Sequence, residues 1–435
     1  MLTPILALAI TVILVQVTRR VAPAVGLIDY PCARKSHHGD IPLVGGISIF
    51  GALLALAVFG GLLQEHAAFF AAASLIVVVG VLDDVIGISP AVRLAVQAGA
   101  ILIIATAGGV YLADLGALVP ATGTLQLGWM AIPFTIFAGV GAVNAFNLSD
   151  GVDGLCGTLS LAALVGLGIA AGVAGSMAEL PLILTMIGAV IGFLIFNVRL
   201  PQRRQASIFL GDAGSYLLGL TVLYLAVRMS QGPERAIQPV TALWFCMLPL
   251  LDTVGVMLRR LRRGHSPMNP DREHIHHVLL LANFSVTATW IGLALVAAAG
   301  VGFGLLGVFA GIPESVMFAC FLILGIAYYG MFTRVWKALK FLSRSINRRA
   351  MAKMDRRMGV DRRQRDEIYY VDGIPKERRS GQDRRKNGGD RRNGEDPVSA
   401  KFVDLGPIET EESTTTEKAA RLSDEPAANG GAAYH

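Results

Sequence analysis

The chain has 435 residues, of which 53% are hydrophobic and only 16% charged, with a mean hydropathy of +0.56. Length alone would allow two or three soluble domains, but this composition excludes them and points to a membrane protein. The formal net charge of +6 sits in one stretch: residues 1–332 carry 15 basic and 15 acidic side chains, 333–393 carry 20 and 8, and 394–435 carry 3 and 9.

Eleven apolar stretches approach the ~20 residues that cross a bilayer core. They centre near Ala9, Leu53, Val77, Ile101, Phe137, Val165, Ile187, Leu218, Met247, Leu295 and Leu322. The expected fold is therefore all-α, a polytopic membrane protein of about 11 transmembrane helices over residues 1–335. The first stretch, Leu2 to Thr18, has no basic residue ahead of it and no small-residue cleavage site soon after. It reads as a retained helix rather than a signal peptide.

RKSHHGDIPLVGG (34–46) comes before the second stretch. Its basic residues suit a positive anchor at the membrane surface, and with the histidines they suit an anion site. VLDDVIG (81–87) ends the third stretch with adjacent carboxylates, Asp83 and Asp84. Neighbouring carboxylates repel, so one takes up a proton or a cation lies between them. Pro90 then breaks the apolar pattern between Gly87 and Leu94.

NAFNLSDGVDGLCG (144–157) closes the fifth stretch. A helix continued through it would bring Asn147, Asp150 and Asp153 near one face, and its glycines would let backbone approach a ligand. A polar helix cap is the plainer alternative, and the calcium-loop spacing is missing. FLGDAGS (209–215) sets Asp212 at the start of the eighth stretch, either as an N-cap or as a site residue.

RRLRRGHSPMNPDREHIHHVLL (259–280) is the richest polar segment, with Arg272, His274, His276 and His277. The H-x-H-H spacing lacks the partners of a recognised zinc motif. Arginine and histidine together suit phosphate oxygens better. The cysteines, Cys32, Cys156, Cys246 and Cys320, show no C-x-x-C spacing and read as small apolar residues.

Residues 336–435 form a tail, basic then acidic, with GVDRR (359–363), GQDRR (381–385) and GGDRR (388–392) as a degenerate repeat. It holds too few apolar residues for a packed core and is expected to be mostly disordered. The repeat suits an anionic lipid surface as well as a simple solubilising tail. It is weak ground for nucleic-acid binding, and no nucleic-acid partner is expected.

Lys/Arg placement in short loops sets orientation. One set of alternate loops holds thirteen of these residues and the other only Arg228 and Arg235. This predicts the N-terminus outside and the tail in the cytoplasm. Asp83, Asp84, Asp150, Asp153, Asp212 and the histidine loop then share the cytoplasmic face, with Asp252 a turn or two away. The acidic residues of the opposite loops, Glu65, Asp114, Glu179, Glu234 and Glu314, are expected to form no dense cluster. Clustered carboxylates beside basic loops suggest magnesium or manganese with a diphosphate, and phosphoryl transfer needs mainly positioning and charge neutralisation. A secondary transporter would instead place carboxylates near the bilayer midplane and show inverted repeats.

RKSHHGDIPLVGG, VLDDVIG, NAFNLSDGVDG, FLGDAGS and SPMNPDREHIHH, in this order, resemble the polyprenyl-phosphate N-acetylhexosamine-1-phosphate transferases. Among these, the chain is most similar to the bacterial enzymes acting on undecaprenyl phosphate and N-acetylglucosamine. The resemblance covers about residues 1–335. It implies a multi-pass enzyme of the bacterial inner membrane that moves a sugar 1-phosphate from a UDP-N-acetylhexosamine to undecaprenyl phosphate. UMP is released, Mg2+ or Mn2+ is used, and O-antigen or a similar surface polymer is begun. Direct attack by the lipid phosphate is the expected route, and a homodimer is compatible with the family.

Carried over by motif, Asp83, Asp84, Asp150 and Asp153 would be catalytic. Asp83 and Asp84 would bind or deprotonate the lipid phosphate, with Asp212 and Asp84 at the metal. Asn147 would contact the nucleotide, and Arg272, His274, His276 and His277 the diphosphate or sugar, with Lys35 and His38 completing substrate binding. The related muramyl-pentapeptide phosphate transferase typically carries three consecutive histidines where this chain has HIHH. Two departures from the pattern are Ala206-Ser207-Ile208, without the lysine some relatives carry, and the repeat tail.

Overall fold

The computed structural model describes residues 2–30, 39–120, 123–200, 202, 203, 205–265, 273–335, 368–371 and 374–377. The chain divides into two units, Met1–Trp336 and Lys337–His435. In the second, the described residues are two antiparallel strands, Ile368–Val371 and Ile374–Glu377, with Ile368 opposite Glu377.

The first unit is helical. In chain order its helices are α1 Thr3–Val21, α2 Gly45–Gly60, α3 Leu62–Glu65, α4 Ala67–Ile86, α5 Pro90–Thr106, α6 Ala131–Leu148 and α7 Leu155–Ala174. They continue with α8 Leu180–Asn197, α9 Gly211–Ser230, α10 Pro239–Phe245, α11 Met247–Arg262, α12 Ile275–Leu281, α13 Val286–Ala310 and α14 Glu314–Val335. Eight of these are long and apolar enough to cross a membrane, or nine if α10 and α11, bent by 81°, count as one span. The predicted count of eleven is therefore not reached among the described residues. Two predicted stretches, near Leu53 and Ile101, form the shorter apolar helices α2 and α5 of 16 and 17 residues.

Local chemistry explains the ends. Pro90 occupies the first turn of α5, where its missing N–H leaves no hydrogen bond unmade. It thereby separates α5 from α4 at the break read in the sequence. Helix α9 lies at the centre, nearly all of it buried, against α4, α6, α2 and α7. The approach of α4 to α9 needs Gly80, where any Cβ would meet the backbone of Asp212 and Ala213. That contact sets the carboxylates of Asp83 and Asp84 against the start of α9.

A short ladder pairs Ile28 with Pro42 and Asp29 with Ile41. The strand then continues into the FLGDAGS segment: Phe209 N–H donates to Pro42 O at 2.8 Å and Gly46 N–H to Leu210 O at 2.9 Å.

At the opposite end of the bundle, the acidic side chains pair with two arginines, and no group of three or more of them forms a metal-holding cluster among the described residues. Arg228 pairs with Glu179 at 2.9 Å and Glu65 at 3.8 Å, while Arg235 reaches Asp114 at 3.5 Å and Glu314 at 3.9 Å. The cause is helix packing, which brings together loops remote in sequence. The two arginines of that end thus face carboxylates.

Candidate active site

Five segments converge at one end of the bundle. At the last turn of α4, Asp83 accepts hydrogen bonds from Ile88 N–H (2.7 Å) and Arg93 Nη1 (2.9 Å). Arg93, one turn into α5, also lies 3.9 Å from Asp212 Oδ2, so one guanidinium serves two carboxylates. Asp84 Oδ1 accepts the backbone N–H of Asp212 at 3.0 Å. Its other oxygen, Oδ2, is buried and has no hydrogen-bond partner among the described residues. Asp212 Oδ1 accepts from Asn147 Nδ2 at 2.7 Å, and the same amide donates to Ser215 Oγ at 2.9 Å.

The segment after Asn147 does not continue as helix. α6 ends at Leu148, and residues 149–154 turn before α7 begins at Leu155. The single helical face predicted for Asn147, Asp150 and Asp153 is therefore corrected, and the three side chains diverge. Asn147 turns to Asp212. Asp153 pairs with Arg199 Nε at 2.6 Å and accepts from Ala206 N–H at 3.2 Å, so it ties this turn to the loop after α8. Asn197 reinforces the tie by accepting Gly154 N–H at 2.6 Å and donating to Ile208 O at 2.8 Å. Asp150 is exposed. One side of it meets solvent, but protein packed behind the carboxyl group and the carboxylates of Asp212, Asp153 and Asp84 push its pKa up to about 8.

The histidine loop closes over this turn. A Cβ on Gly151 would strike the His276 ring, which places that imidazole against the turn carrying Asp150. Burial and the neighbouring His277 push His276 down to about 3, so it is neutral near pH 7. Its ring stacks on His274 at 5.9 Å and lies 4.2 Å from His277. His274 Nδ1 meets Asp252 Oδ2 at 2.8 Å.

Among the described residues, no three His, Cys, Asp or Glu side chains form a cage that could hold a metal alone. The free Oδ2 of Asp84, with Asp212 beside it, fits a different arrangement. A small hard divalent ion is commonly held by one or two carboxylates, with substrate phosphates and water supplying the rest.

Residues 66–230 match the family described as Glycosyl transferase family 4. The chain is 37% identical over 328 residues to undecaprenyl-phosphate alpha-N-acetylglucosaminyl 1-phosphate transferase of Escherichia coli O157:H7, covering 75% of this chain and 89% of that protein. Proteins of the same name from Yersinia pestis and Haemophilus influenzae are 39% and 33% identical over 332 and 335 residues. These alignments cover 75% and 77% of this chain, and 90% and 94% of those proteins. The chain belongs to glycosyl transferase family 4.

In this transferase the structure gathers most of the predicted site. Asp84, Asn147 and Asp212 meet directly, Asp83 joins them through Arg93, and Asp150 and His276 flank them. Asp153 is drawn into its pairing with Arg199. Lys35, His38 and Arg272 lie outside the described residues. Arg93 is one of the thirteen loop charges that set orientation, and its position ten residues beyond Asp83 is the sequence signal for its place in the site. Arg259, read as part of a phosphate-binding cluster, is buried instead. It bonds Glu273 O at 2.9 Å and lies 4.0 Å from the Phe332 ring centre. Arg263 is likewise paired with Glu273.

Proposed function

We propose that this transferase moves N-acetylglucosamine 1-phosphate, or a related N-acetylhexosamine 1-phosphate, from a UDP-sugar to undecaprenyl phosphate. An oxygen of the lipid phosphate attacks the phosphorus bearing the sugar. The bond from that phosphorus to the bridging oxygen breaks, and UMP leaves. The product, undecaprenyl-diphosphate sugar, begins a cell-surface polysaccharide such as O-antigen.

One observation carries the reading: the unpartnered Oδ2 of Asp84 lies beside Asp212 and Asn147 at one end of a membrane helix bundle. Mg2+ or Mn2+ bound by Asp84 and Asp212 would neutralise diphosphate charge. The chain's own groups do the remaining work. Arg93 and Ile88 N–H hold Asp83 in place beside the acceptor phosphate. Asn147 fixes Asp212. A lipid monophosphate, with a second pKa of about 6, has lost most of that proton near pH 7, and Asp150, protonated there, donates a hydrogen bond to a phosphate oxygen. Neutral His276 holds the Asp150 turn from behind, and His274 and His277 meet the donor.

Thirteen against two Lys/Arg in alternate loops support a bacterial inner-membrane orientation with this end in the cytoplasm, where a soluble UDP-sugar reaches it. Purified protein given UDP-N-acetylglucosamine, undecaprenyl phosphate and Mg2+ should release UMP. Asp84→Asn and Asp212→Asn should each slow release at least a hundredfold while the protein remains monodisperse. Full activity in both would remove these residues from the site, and parallel UDP-sugar donors would fix the sugar.

A further inference from the structure

Helix α11 carries a carboxylate for which the proposed reaction has given no role. Asp252 is 4% exposed, and its side-chain hydrogen bonds run to the histidine loop and to α14. Oδ2 faces His274 Nδ1 at 2.8 Å. Oδ1 accepts the backbone N–H of Ile275 at 3.0 Å and the hydroxyl of Tyr328 at 2.7 Å. A buried carboxylate is costly unless its oxygens are satisfied, and here both are. His274 is itself buried, at 3% exposed, and its Nε2 has no partner among the described residues. Its ring is stacked nearly parallel to His276, which packs on the Asp150 turn.

We propose that Asp252 is a positioning residue that fixes the His274 ring and its proton, reserving Nε2 for the substrate. An ionised carboxylate only accepts hydrogen bonds, so the nitrogen it meets must carry the proton. Nδ1–H is thereby committed to Asp252. Nε2 remains the one nitrogen of His274 that can take up a proton and then donate to an anionic oxygen, and the carboxylate balances the positive charge the ring gains with that proton. Tyr328 and Ile275 N–H hold the carboxylate from its other side, so the ring has little freedom to turn. The same arrangement, a carboxylate orienting a histidine whose second nitrogen works, recurs in metal and nucleophile sites. This inference rests on His274 belonging to the transferase site.

Asp252→Asn separates positioning from bulk stability. Ile275 N–H can only donate, so the amide oxygen must stay at the Oδ1 position. The NH2 group then takes the place of Oδ2 and donates to Nδ1, which forces the proton onto Nε2. Histidine 15N spectra of the full-length protein, with His274 assigned by loss of its signal in His274→Ala, should show protonated Nδ1 in the wild type and unprotonated Nδ1 in Asp252→Asn. In the UMP-release assay, kcat/KM should fall at least tenfold in Asp252→Asn. The double variant Asp252→Asn/His274→Ala should be no more than about twofold slower than His274→Ala alone. His274→Gln, which keeps a donor for Asp252, serves if the alanine variant does not fold.

A protonated Nδ1 that persists in Asp252→Asn overturns the proposal, as do losses that multiply in the double variant. His274→Ala at the wild-type rate overturns it together with the place of His274 in the site. Wild-type protein that releases no UMP overturns the activity alone, and the nitrogen spectra still decide the pairing.

Discussion

At the residue scale, the site shows how one side chain's chemistry depends on its neighbours. Asp83 and Asp84 are adjacent in sequence, but they face different partners. Asp83 is neutralised by Arg93, while Asp84 keeps one oxygen free. Asp150 lies within reach of three other carboxylates and holds its proton up to about pH 8. Its folded-state pKa is raised above the ordinary value of about 3.9. Its contribution to stability is therefore full below about pH 4 and is lost as pH rises through about 8. Metal-free protein should lose thermal stability across that window, and Mg2+ should restore most at its alkaline end. Asp150→Asn should flatten both trends in scanning fluorimetry, and unchanged slopes would remove Asp150 from the electrostatics of the site. Gly151→Ala tests the contact with the histidine loop, because the added methyl must displace the His276 ring. UMP release should fall at least tenfold while the melting temperature shifts by only a few degrees.

At the element scale, the carboxylate positions depend on how closely α4 and α9 approach. Gly80 permits that approach, since only a hydrogen fits against the Ala213 backbone. Gly80→Val should destabilise the bundle by about 1–3 kcal/mol, as overpacked cores do, and should abolish activity even where protein accumulates. A melting temperature equal to wild type would show that the approach is not tight. The turn after α6 is held from the other side by Asp153 with Arg199 and by Asn197 with Gly154. We expect Asp153→Asn to raise the KM for the UDP-sugar more than it lowers kcat, because the turn is displaced while the Asp84–Asp212 pair stays in place.

At the scale of the whole molecule, the relatives align over 328 to 335 residues of a 435-residue chain. Deleting residues 340–435 should therefore leave UMP release within about twofold of wild type. If the DRR repeats contact anionic lipid, the same deletion should weaken flotation with anionic vesicles and leave neutral vesicles unaffected.

Much of this was written in the sequence. Apolar runs marked every membrane helix, because a bilayer accepts no other backbone of that length without unsatisfied N–H and C=O groups. The break at Pro90 and the motifs around Asp83, Asn147 and Asp212 were legible for similarly local reasons. Three-dimensional packing decided the rest. Whether a stretch of 16 or 17 apolar residues counts as a span depends on helix ends, which composition blurs. The divergence of Asn147, Asp150 and Asp153 follows from α6 ending at Leu148, a turn that spacing alone could not reveal. The capture of Asp153 by Arg199, the sharing of Arg93 between Asp83 and Asp212, and the pairing of Asp252 with His274 join residues 10 to 119 positions apart on separate segments. A sequence states which charges a chain carries, but only packing fixes the few ångströms that decide which of them are neutralised and which are left for substrate.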